Sequence, residues 1–355
     1  MSAHVSSPAD AVVARVQAQL SAFLAARAAA LAEVGPELAD MAAEARRFVL
    51  DGGKRLRPQF AYWGWRATRP GTDDDTDLVI AAASLELLHG CALVHDDVMD
   101  ASATRRGRPA SHVAFAQLHR DSGWRGDPAA FGTAAAILLG DLLLSWADAM
   151  FMSSAPSPLV REAYDRMREL VLAGQYLDVL VQARGGFSVE DALRVAEFKT
   201  GKYTVEGPLH LGAAAAGSPP ETFVALSGYG VPLGEAFQLR DDVLGVFGDP
   251  EVTGKPAGDD LREGKRTLLV ALAMRSATAI EAQLLRSELG DRAMDEDAVA
   301  AVREVIVRTG ALDEVEKRIA ERAEAALAAL DAPGIGADSR AALAELATAA
   351  TRRHT

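Results

Sequence analysis

The amino-acid sequence predicts an all-α protein folded as one helical bundle. Alanine and leucine dominate its 355 residues, whereas aromatic residues make up only 6% of them. Runs of alternating apolar and polar residues, which are typical of half-buried strands, are scarce. Apolar residues instead recur at helical spacing, as in the series Val12, Val16, Leu20 and Leu24. No fixed repeat or low-complexity linker is present, so we expect a single domain over residues 1–355.

The first part of the chain is predicted to form helices over residues 8–33, 37–50, 60–65 and 78–100. Gly35-Pro36 ends the first helix and Gly52-Gly53 ends the second, because glycine and proline interrupt regular helices. An acidic turn precedes the fourth helix, whose N-terminus favours negative charge. The fourth helix is apolar along most of its length, so we expect it to be buried.

The rest of the chain begins with a stretch predicted to be loop-rich, residues 101–128, because it contains three glycines and two prolines. The sequence then predicts helices over residues 130–152, 158–183, 188–199, 202–216 and 220–247. A second loop, rich in glycine, aspartate and lysine, covers residues 249–265. The remainder is predicted to be helical, with breaks near Gly290, Gly310 and Pro333-Gly334.

The composition argues against several classes of protein. The net charge is −13, so we do not expect nucleic-acid binding, which requires basic surfaces. One cysteine, Cys91, excludes internal disulfides and predicts a reducing compartment, the cytoplasm. The first residues lack the pattern of a signal peptide. The most apolar window, residues 133–150, is interrupted by Asp141 and Asp148, so it predicts a core helix and no transmembrane segment.

An acidic motif ends the helix predicted over residues 78–100. Asp96 and Asp100 are four residues apart and project from one helix face, with Asp97 between them. The carboxylates repel each other and lie at the end of the helix where the dipole disfavours them. A solvated helix face is the ordinary explanation of such a pair. Its unfavourable position instead favours a Mg²⁺ site, because Mg²⁺ binds a few carboxylates and keeps positions for phosphate oxygens.

Cationic residues accompany this motif and a second acidic motif, Asp241-Asp242, at the end of the helix predicted over residues 220–247. We expect the two acidic helix ends to face each other. The basic residues and the histidine that suit phosphate are Lys54, Arg55, Arg57, His89, Arg105, Arg106, Lys199, Lys255 and Lys265. They predict two anion sites, one bridged by metal and one bound by lysine, arginine and histidine alone.

Five stretches of the sequence together resemble the trans-isoprenyl diphosphate synthases of the polyprenyl synthetase family. They are residues 52–58 (GGKRLRP), 86–107 (ELLHGCALVHDDVMDASATRRG), 174–178 (GQYLD), 199–212 (KTGKYTVEGPLHLG) and 237–267 (FQLRDDVLGVFGDPEVTGKPAGDDLREGKRT). These motifs lie in a core of about residues 45–270. The resemblance implies an isoprenoid-synthase helical bundle with a central cavity, a homodimer, and Mg²⁺-dependent condensation of isopentenyl diphosphate with an allylic diphosphate.

The resemblance also implies roles for individual residues. Mg²⁺ bound to the allylic diphosphate would be ligated by Asp96, Asp100 and Asp241, with Asp97 and Asp242 in support. Isopentenyl diphosphate would be bound without metal by Lys54, Arg57, His89 and Arg106. The allylic diphosphate would be contacted by Arg105, Lys199, Gln238, Lys255 and Lys265, and Thr200 would flank the reacting carbons. Gln175 and Asp178 match a motif that lines the family's cavity.

The second acidic motif departs from the family pattern, which is commonly DDxxD, because Gly245 stands at its last position. Asp249 or Asp259-Asp260 are candidates to replace the missing carboxylate. The departure bears on how many metal ions are bound.

The product length is predicted from residues that precede Asp96. In the family, a bulky aromatic residue four or five positions earlier tends to stop the chain at farnesyl length, but here Ala92 and Cys91 are small, and Leu88 lies lower. We expect geranylgeranyl diphosphate, with a longer polyprenyl or farnesyl diphosphate as the alternative. A terpene cyclase is disfavoured by the second acidic motif, and a non-catalytic subunit of a heteromeric synthase by the intact aspartates.

Overall fold

The computed structural model describes residues 8–69, 71, 74–249 and 258–351. Within these ranges most residues are helical and the strands form one short hairpin, so the all-α prediction is confirmed. The chain divides into two compact units, which we describe separately. Unit 1 comprises residues 1–161 and 211–217, and unit 2 comprises residues 162–210 and 218–355. A single domain over the whole chain stays a prediction.

Unit 1 is built around one buried helix. Its helices are α1 (Pro8–Val34), α2 (Ala39–Leu50), α3 (Leu56–Arg66), α4 (Thr76–Met99), α5 (Ser111–Asp121) and α6 (Pro128–Ser153), with a 3₁₀ turn at Pro36–Leu38. The apolar helix α4 packs against α1, α2, α3, α5 and α6. Its carboxyl end, which carries the first acidic motif, is therefore held by neighbours on several sides.

The stretch predicted to be loop-rich, residues 101–128, differs from the prediction. It contains a hairpin of β1 (Thr104–Arg105) and β2 (Arg108–Pro109), followed by helix α5. The glycines and prolines lie at the ends of the strands and helices. Their spacing therefore suggested that the whole stretch was a loop. Phe115 and Ala116 of α5 are buried, so packing fixes this helix.

Unit 2 is organised around α10 (Pro220–Phe247), which packs against a π-helix (Ala196–Glu206) and against α15 (Ala311–Ala329). The other helices are α8 (Val189–Val195), α11 (Asp259–Glu263), α12 (Leu268–Ser276), α13 (Ala279–Glu288), α14 (Glu296–Arg308) and α16 (Ala337–Thr351). Two further helices, α7 (Pro158–Arg184) and α9 (Gly207–Ala216), contribute residues to both units.

Two predictions in unit 2 need correction. The π-helix runs through the break predicted between residues 199 and 202, so Lys199 and Thr200 lie in continuous helix. The loop predicted over residues 249–265 contains the short helix α11. Its residues 250–257 lie outside the described part of the chain, and they include Lys255.

Two helices, α4 and α6, are long and apolar enough to cross a membrane by length and composition. The protein buries 72% of the most apolar window of α4 and 33% of that of α6. Core helices of soluble proteins pass the same test, so the finding is weak evidence for a membrane span. The absence of a transmembrane segment stays a prediction.

Candidate active site

A glycine turn presents the first cations of the site. Gly52 and Gly53 have φ angles of 78° and 90°, a conformation that only glycine adopts readily. The turn ends α2 and leads into α3, so Lys54 lies exposed between the two helices and Arg57 lies in the first turn of α3. Lysine and arginine are thus placed beside a helix N-terminus, where anions are favoured.

His89 of α4 lies among arginines. Burial is the main reason why the pKa of His89 is well below its usual range, and nearby Arg57, Arg106, Arg105 and Arg55 lower the pKa further. The histidine is therefore neutral at ordinary pH and can offer a ring N–H to an anion. We call the histidine, these four arginines and the exposed Lys54 the basic cluster. It includes all four predicted ligands of isopentenyl diphosphate, Lys54, Arg57, His89 and Arg106, and it belongs to unit 1.

A pocket of about 220 Å³ opens beside this cluster. Its lining residues are Arg47, Phe48, Asp51, Gly52, Arg105, Arg106 and Arg108. Four guanidinium groups and one carboxylate give the pocket an excess of positive charge, which suits a phosphate group. Of the predicted substrate ligands, only Arg105 and Arg106 line it.

The first acidic motif lies at the end of α4, where all three aspartates are buried. Arg105 donates from Nε to Asp97 Oδ1 at 2.9 Å, and its Nη2 lies 3.6 Å from Asp96 Oδ2. Asp97 therefore holds Arg105, whereas Asp96 and Asp100 share one helix face. That Asp97 supports the other two aspartates in binding a metal stays a prediction.

The second acidic motif lies in unit 2, near the end of α10. Thr200 of the π-helix donates a hydrogen bond to Gln238 Oε1, and Gln238 Nε2 donates to Asp242 Oδ1 at 2.6 Å. Burial raises the pKa of Asp242 to about 7, and repulsion from Asp260 and Asp241 adds to the shift. The Gln238 hydrogen bond and the Lys265 charge act in the opposite direction. These carboxylates therefore repel one another, and a bound cation would relieve that repulsion.

Two lysines of unit 2 that were predicted to contact the allylic diphosphate are described, and each is paired with acids. Lys199 Nζ lies 2.7 Å from Asp178 Oδ2 on α7. Lys265 Nζ lies 3.2 Å from Asp260 Oδ1 and 2.9 Å from Glu263 Oε2. Asp178, whose role the sequence left open, thus positions Lys199. The sequence analysis did not identify Glu263 as a site residue. The one feature of the sequence that could have indicated its ion pair is its position two residues before Lys265.

Gly245, where the family pattern has an aspartate, is required by close packing. A Cβ atom at this position would overlap the carboxylate of Asp260. Asp260 comes from α11 and is buried. The space beside residue 245 is therefore filled by a carboxylate from another helix. Of the candidates noted in the sequence, Asp249 and Asp259-Asp260, Asp260 is the one whose carboxylate lies in this space, and its role as the replacement stays a prediction.

The residues predicted to set product length lie on different sides of α4. Ala92 is one turn before Asp96 and shares its face. Cys91 is buried and its Sγ lies 3.8 Å from His95 Nδ1, whose ring Nε2 lies 3.1 Å from the carbonyl oxygen of Ile137 on α6. Cys91 therefore faces α6, and burial raises the pKa of its thiol to about 12. Leu88 is also buried.

The donor set fits a hard cation that brings further ligands. In the described ranges, no three His, Cys, Asp or Glu side chains are arranged to hold a metal by themselves. Asp96 and Asp100 offer carboxylate oxygens from adjacent turns of one helix, which suits Mg²⁺ when water and phosphate complete its octahedron. The crowded carboxylates at Asp242 fit the same requirement.

Comparison with known proteins agrees with this arrangement. The family profile described as Polyprenyl synthetase matches residues 39–306. Geranylgeranyl pyrophosphate synthase from Corynebacterium glutamicum, solved with isoprenyl diphosphate and magnesium, has a TM-score of 0.92 and is 44% identical, covering 96% of this chain and 98% of that chain.

The names of two relatives give products of different lengths. Geranylfarnesyl diphosphate synthase of Aeropyrum pernix is 36% identical over 299 residues, covering 81% of this chain and 86% of the relative. Octaprenyl diphosphate synthase of Escherichia coli is 34% identical over 282 residues, covering 79% and 80%. The residues matched by the family profile include both acidic motifs and the basic cluster. The chain belongs to the polyprenyl synthetase family.

Proposed function

We propose that this protein is a trans-prenyl diphosphate synthase, which condenses isopentenyl diphosphate with an allylic diphosphate. One observation carries the proposal: helix α4 bears a neutral histidine surrounded by arginines and, two turns later, a buried pair of aspartates on one helix face. The first group suits a bare diphosphate and the second suits a diphosphate that carries a cation. A prenyl diphosphate synthase requires both kinds of site.

The residues divide the work between the two substrates. Lys54, Arg57, His89 and Arg106 bind isopentenyl diphosphate and hold its double bond towards the allylic carbon, a proximity effect. Bound through Asp96, Asp100 and Asp241, Mg²⁺ would stabilise negative charge on the departing diphosphate. Lys199 and Lys265 add positive charge near the second acidic motif.

The reaction balances without a separate base from the protein. The allylic C–O bond breaks and its electrons leave with diphosphate. The isopentenyl double bond forms the new C–C bond to the allylic carbon, and the resulting cation loses a proton to the released diphosphate. The sequence offers no obvious general base beside these motifs, which is why we assign the proton to the leaving group.

We propose geranylgeranyl diphosphate as the main product. Ala92, on the face of Asp96, leaves room for a chain that a large side chain would block. The geranylgeranyl pyrophosphate synthase of Corynebacterium glutamicum, 44% identical, supports this length, whereas the names of the geranylfarnesyl and octaprenyl relatives support longer products.

We further propose that the protein acts as a homodimer in the cytoplasm. Ile137 and Leu138 of α6 are 43% and 58% exposed, and Leu172 and Tyr176 of α7 are 64% and 68% exposed. Large exposed apolar side chains such as these favour burial against a partner. The single cysteine supports a reducing compartment.

The test is to incubate the purified protein with Mg²⁺, labelled isopentenyl diphosphate and, in turn, dimethylallyl, geranyl and farnesyl diphosphate, and to size the products. We expect elongation that stops mainly at geranylgeranyl diphosphate and that EDTA abolishes. Asp96→Ala should lower turnover by about a factor of 1,000, because it removes a charge-stabilising group. Glu304→Ala, an exposed acid on α14, is the matched control and should be fully active.

Three results would contradict the proposal in different ways. Elongation by Asp96→Ala at the wild-type rate would remove the metal assignment. A ladder of longer products would exclude the proposed length but keep the reaction. No elongation from any primer would favour a subunit that needs a partner.

A further inference from the structure

Two arginines satisfy the exposed end of helix α2. The last carbonyl groups of a helix lack partners within it. Arg55 Nη2 donates to the carbonyl oxygens of residues 49 and 50, at 2.7 and 3.2 Å. Arg106 Nη1 donates to those of residues 48 and 51, at 3.2 and 2.9 Å. The end of α2 is therefore fixed by guanidinium groups from two different segments.

The remaining contacts of the two arginines differ. Arg55 Nη1 donates to Glu86 Oε2 at 2.6 Å, and each of these side chains is only 4% exposed. Gln17 Oε1 accepts a further bond from Arg55 at 2.9 Å. Arg106 is exposed, and among the residues that the structure describes it contacts carbonyl oxygens and the Phe48 ring but no carboxylate. The charge of Arg55 is thus neutralised, while that of Arg106 is available to an anion.

The backbone of Arg55 has an uncommon conformation. Its φ of 52° and ψ of 41° lie in the left-handed region, which residues with a Cβ atom rarely adopt. Such a conformation persists only where surrounding bonds hold it, and the four acceptors of the Arg55 guanidinium supply those bonds. The left-handed backbone conformation of Arg55 sets the direction in which the chain passes from Lys54 into α3. Gln59 Nε2 of α3 also donates to the Lys54 carbonyl oxygen at 2.7 Å.

Glu86 links this turn to α4. It lies one turn before His89, so the ion pair connects the segment that bears Lys54 and Arg57 to the helix that bears the histidine. Although Arg106 is exposed as a whole residue, its guanidinium is partly buried at the Phe48 carbonyl oxygen, and this desolvation is the main reason why its pKa is lowered. Neighbouring arginines lower the pKa further, and the charge of Glu86 offsets their effect. Within the basic cluster, Glu86 therefore has both a geometric and an electrostatic effect, which can be separated by substitution.

We propose that Arg55 and Glu86 are positioning residues for the metal-free diphosphate site. They do not bind the diphosphate, because Arg55 is buried and its hydrogen bonds are directed at protein acceptors. Instead their ion pair fixes the glycine turn so that Lys54 and Arg57 reach the anion that His89 and Arg106 bind. The assignment rests on the proposed function only for the identity of that anion, isopentenyl diphosphate.

The test uses conservative variants and two measurements. Inorganic pyrophosphate is titrated into the full-length protein in EDTA by calorimetry, and KM is measured for isopentenyl and allylic diphosphates with Mg²⁺. Arg55→Lys keeps the charge but loses the planar fork, and Glu86→Asp keeps the charge but shortens the side chain. Each should weaken pyrophosphate binding about tenfold, as expected when a charge-assisted hydrogen bond is lost.

In the same variants, KM for isopentenyl diphosphate should rise by a similar factor, whereas KM for the allylic substrate should stay within about twofold. The double variant should lose little more than either single variant, because the two residues act through one contact. The matched control is Glu235→Asp in unit 2, whose Oε1 is 2.6 Å from Arg318 Nε. It should leave pyrophosphate binding unchanged.

Several outcomes would overturn the proposal. They are unchanged pyrophosphate affinity in both folded variants, an equal loss in Glu235→Asp, or no pyrophosphate binding by the wild-type protein in EDTA. A further outcome is that Glu86→Gln binds pyrophosphate more tightly while Glu86→Asp binds it as the wild-type protein does. Glu86 would then act through its charge alone, which contradicts a positioning role. Because the titration needs no turnover, failure of the proposed reaction is detected separately, as a lack of elongation by the wild-type protein.

Discussion

The basic cluster of unit 1 and the second acidic motif of unit 2 shift the pKa of their buried groups in opposite directions. Burial lowers the pKa of His89 and four arginines lower it further, whereas burial raises the pKa of Asp242 to about 7 and two aspartates add to the shift. In both places neighbours of like charge oppose ionisation. Each cluster therefore carries an excess of one sign, which a ligand of the opposite sign would relieve.

Residues of the opposite charge limit the repulsion beside each cluster. Glu86 pairs with Arg55 and Asp97 pairs with Arg105 of the basic cluster, and Lys265 pairs with Asp260 and Glu263 beside the second acidic motif. These pairs order the clusters without neutralising them. The difference in sign supports our proposal that the first cluster binds a bare anion and the second binds an anion through a cation.

Substitution within each cluster tests this difference and has the largest expected effect. Asp241→Ala should lower kcat about 100-fold and raise the Mg²⁺ concentration needed for half-maximal rate, because a carboxylate that attracts the cation is lost. Arg57→Ala should raise KM for isopentenyl diphosphate about tenfold and leave the Mg²⁺ requirement unchanged. Initial rates over a grid of Mg²⁺ and isopentenyl diphosphate concentrations measure both. Equal shifts of the Mg²⁺ requirement in the two variants would contradict the comparison.

The packing of Gly245 predicts a smaller effect on the acidic side. Gly245→Asp completes the family's motif in sequence, but the new side chain would overlap Asp260. We expect it to lower the free energy of unfolding by roughly 1–3 kcal/mol, the usual range for overpacking, and to reduce activity. Urea denaturation and initial rates measure the two effects.

The matched control for Gly245→Asp lies on the same helix. At Gly228 an added Cβ would meet the Ala329 Cβ at 3.4 Å, an ordinary contact. Gly228→Ala should therefore be neutral or stabilise the protein by about 0.5–1 kcal/mol, because alanine favours a helix. If Gly245→Asp were more active than the wild-type protein, Asp260 would not be the residue that replaces the missing carboxylate.

The sequence predicted those parts of the site that depend on local order. The acidic motifs were placed correctly at the ends of α4 and α10, because apolar spacing defines each helix and the aspartates follow it directly. Helix α5 was missed because glycine and proline at the borders of a stretch resemble a continuous loop. The π-helix was missed because a single inserted residue per turn leaves no clear mark in the pattern.

Contacts between distant segments could not be predicted. The sequence identified Arg55 as one of several cations near the glycine turn. Its partner Glu86 is 31 residues away in the chain, on a helix whose sequence is mostly apolar, so the ion pair could not be predicted. Asp260 was one of several candidates, and only the three-dimensional approach of α11 to Gly245 distinguishes it. The face of α4 that Cys91 occupies follows from its contact with His95.

The pH dependence of stability gives the smallest expected effect and tests the basic side of the comparison. The pKa of His89 is lower in the folded protein than in the unfolded chain, so below about pH 6.5 the unfolded chain binds a proton that the folded protein does not. This difference stabilises the unfolded chain as pH falls, by at most about 1.4 kcal/mol per pH unit. His89→Gln removes the titrating group and should therefore lose less stability than the wild-type protein between pH 7.5 and 5.5, as measured by urea denaturation.

Saturating pyrophosphate should also reduce the loss of stability of the wild-type protein over this pH range, because an anion beside the ring favours its protonation. An identical pH slope in the variant and in the wild-type protein would show that burial and the surrounding arginines do not hold His89 neutral.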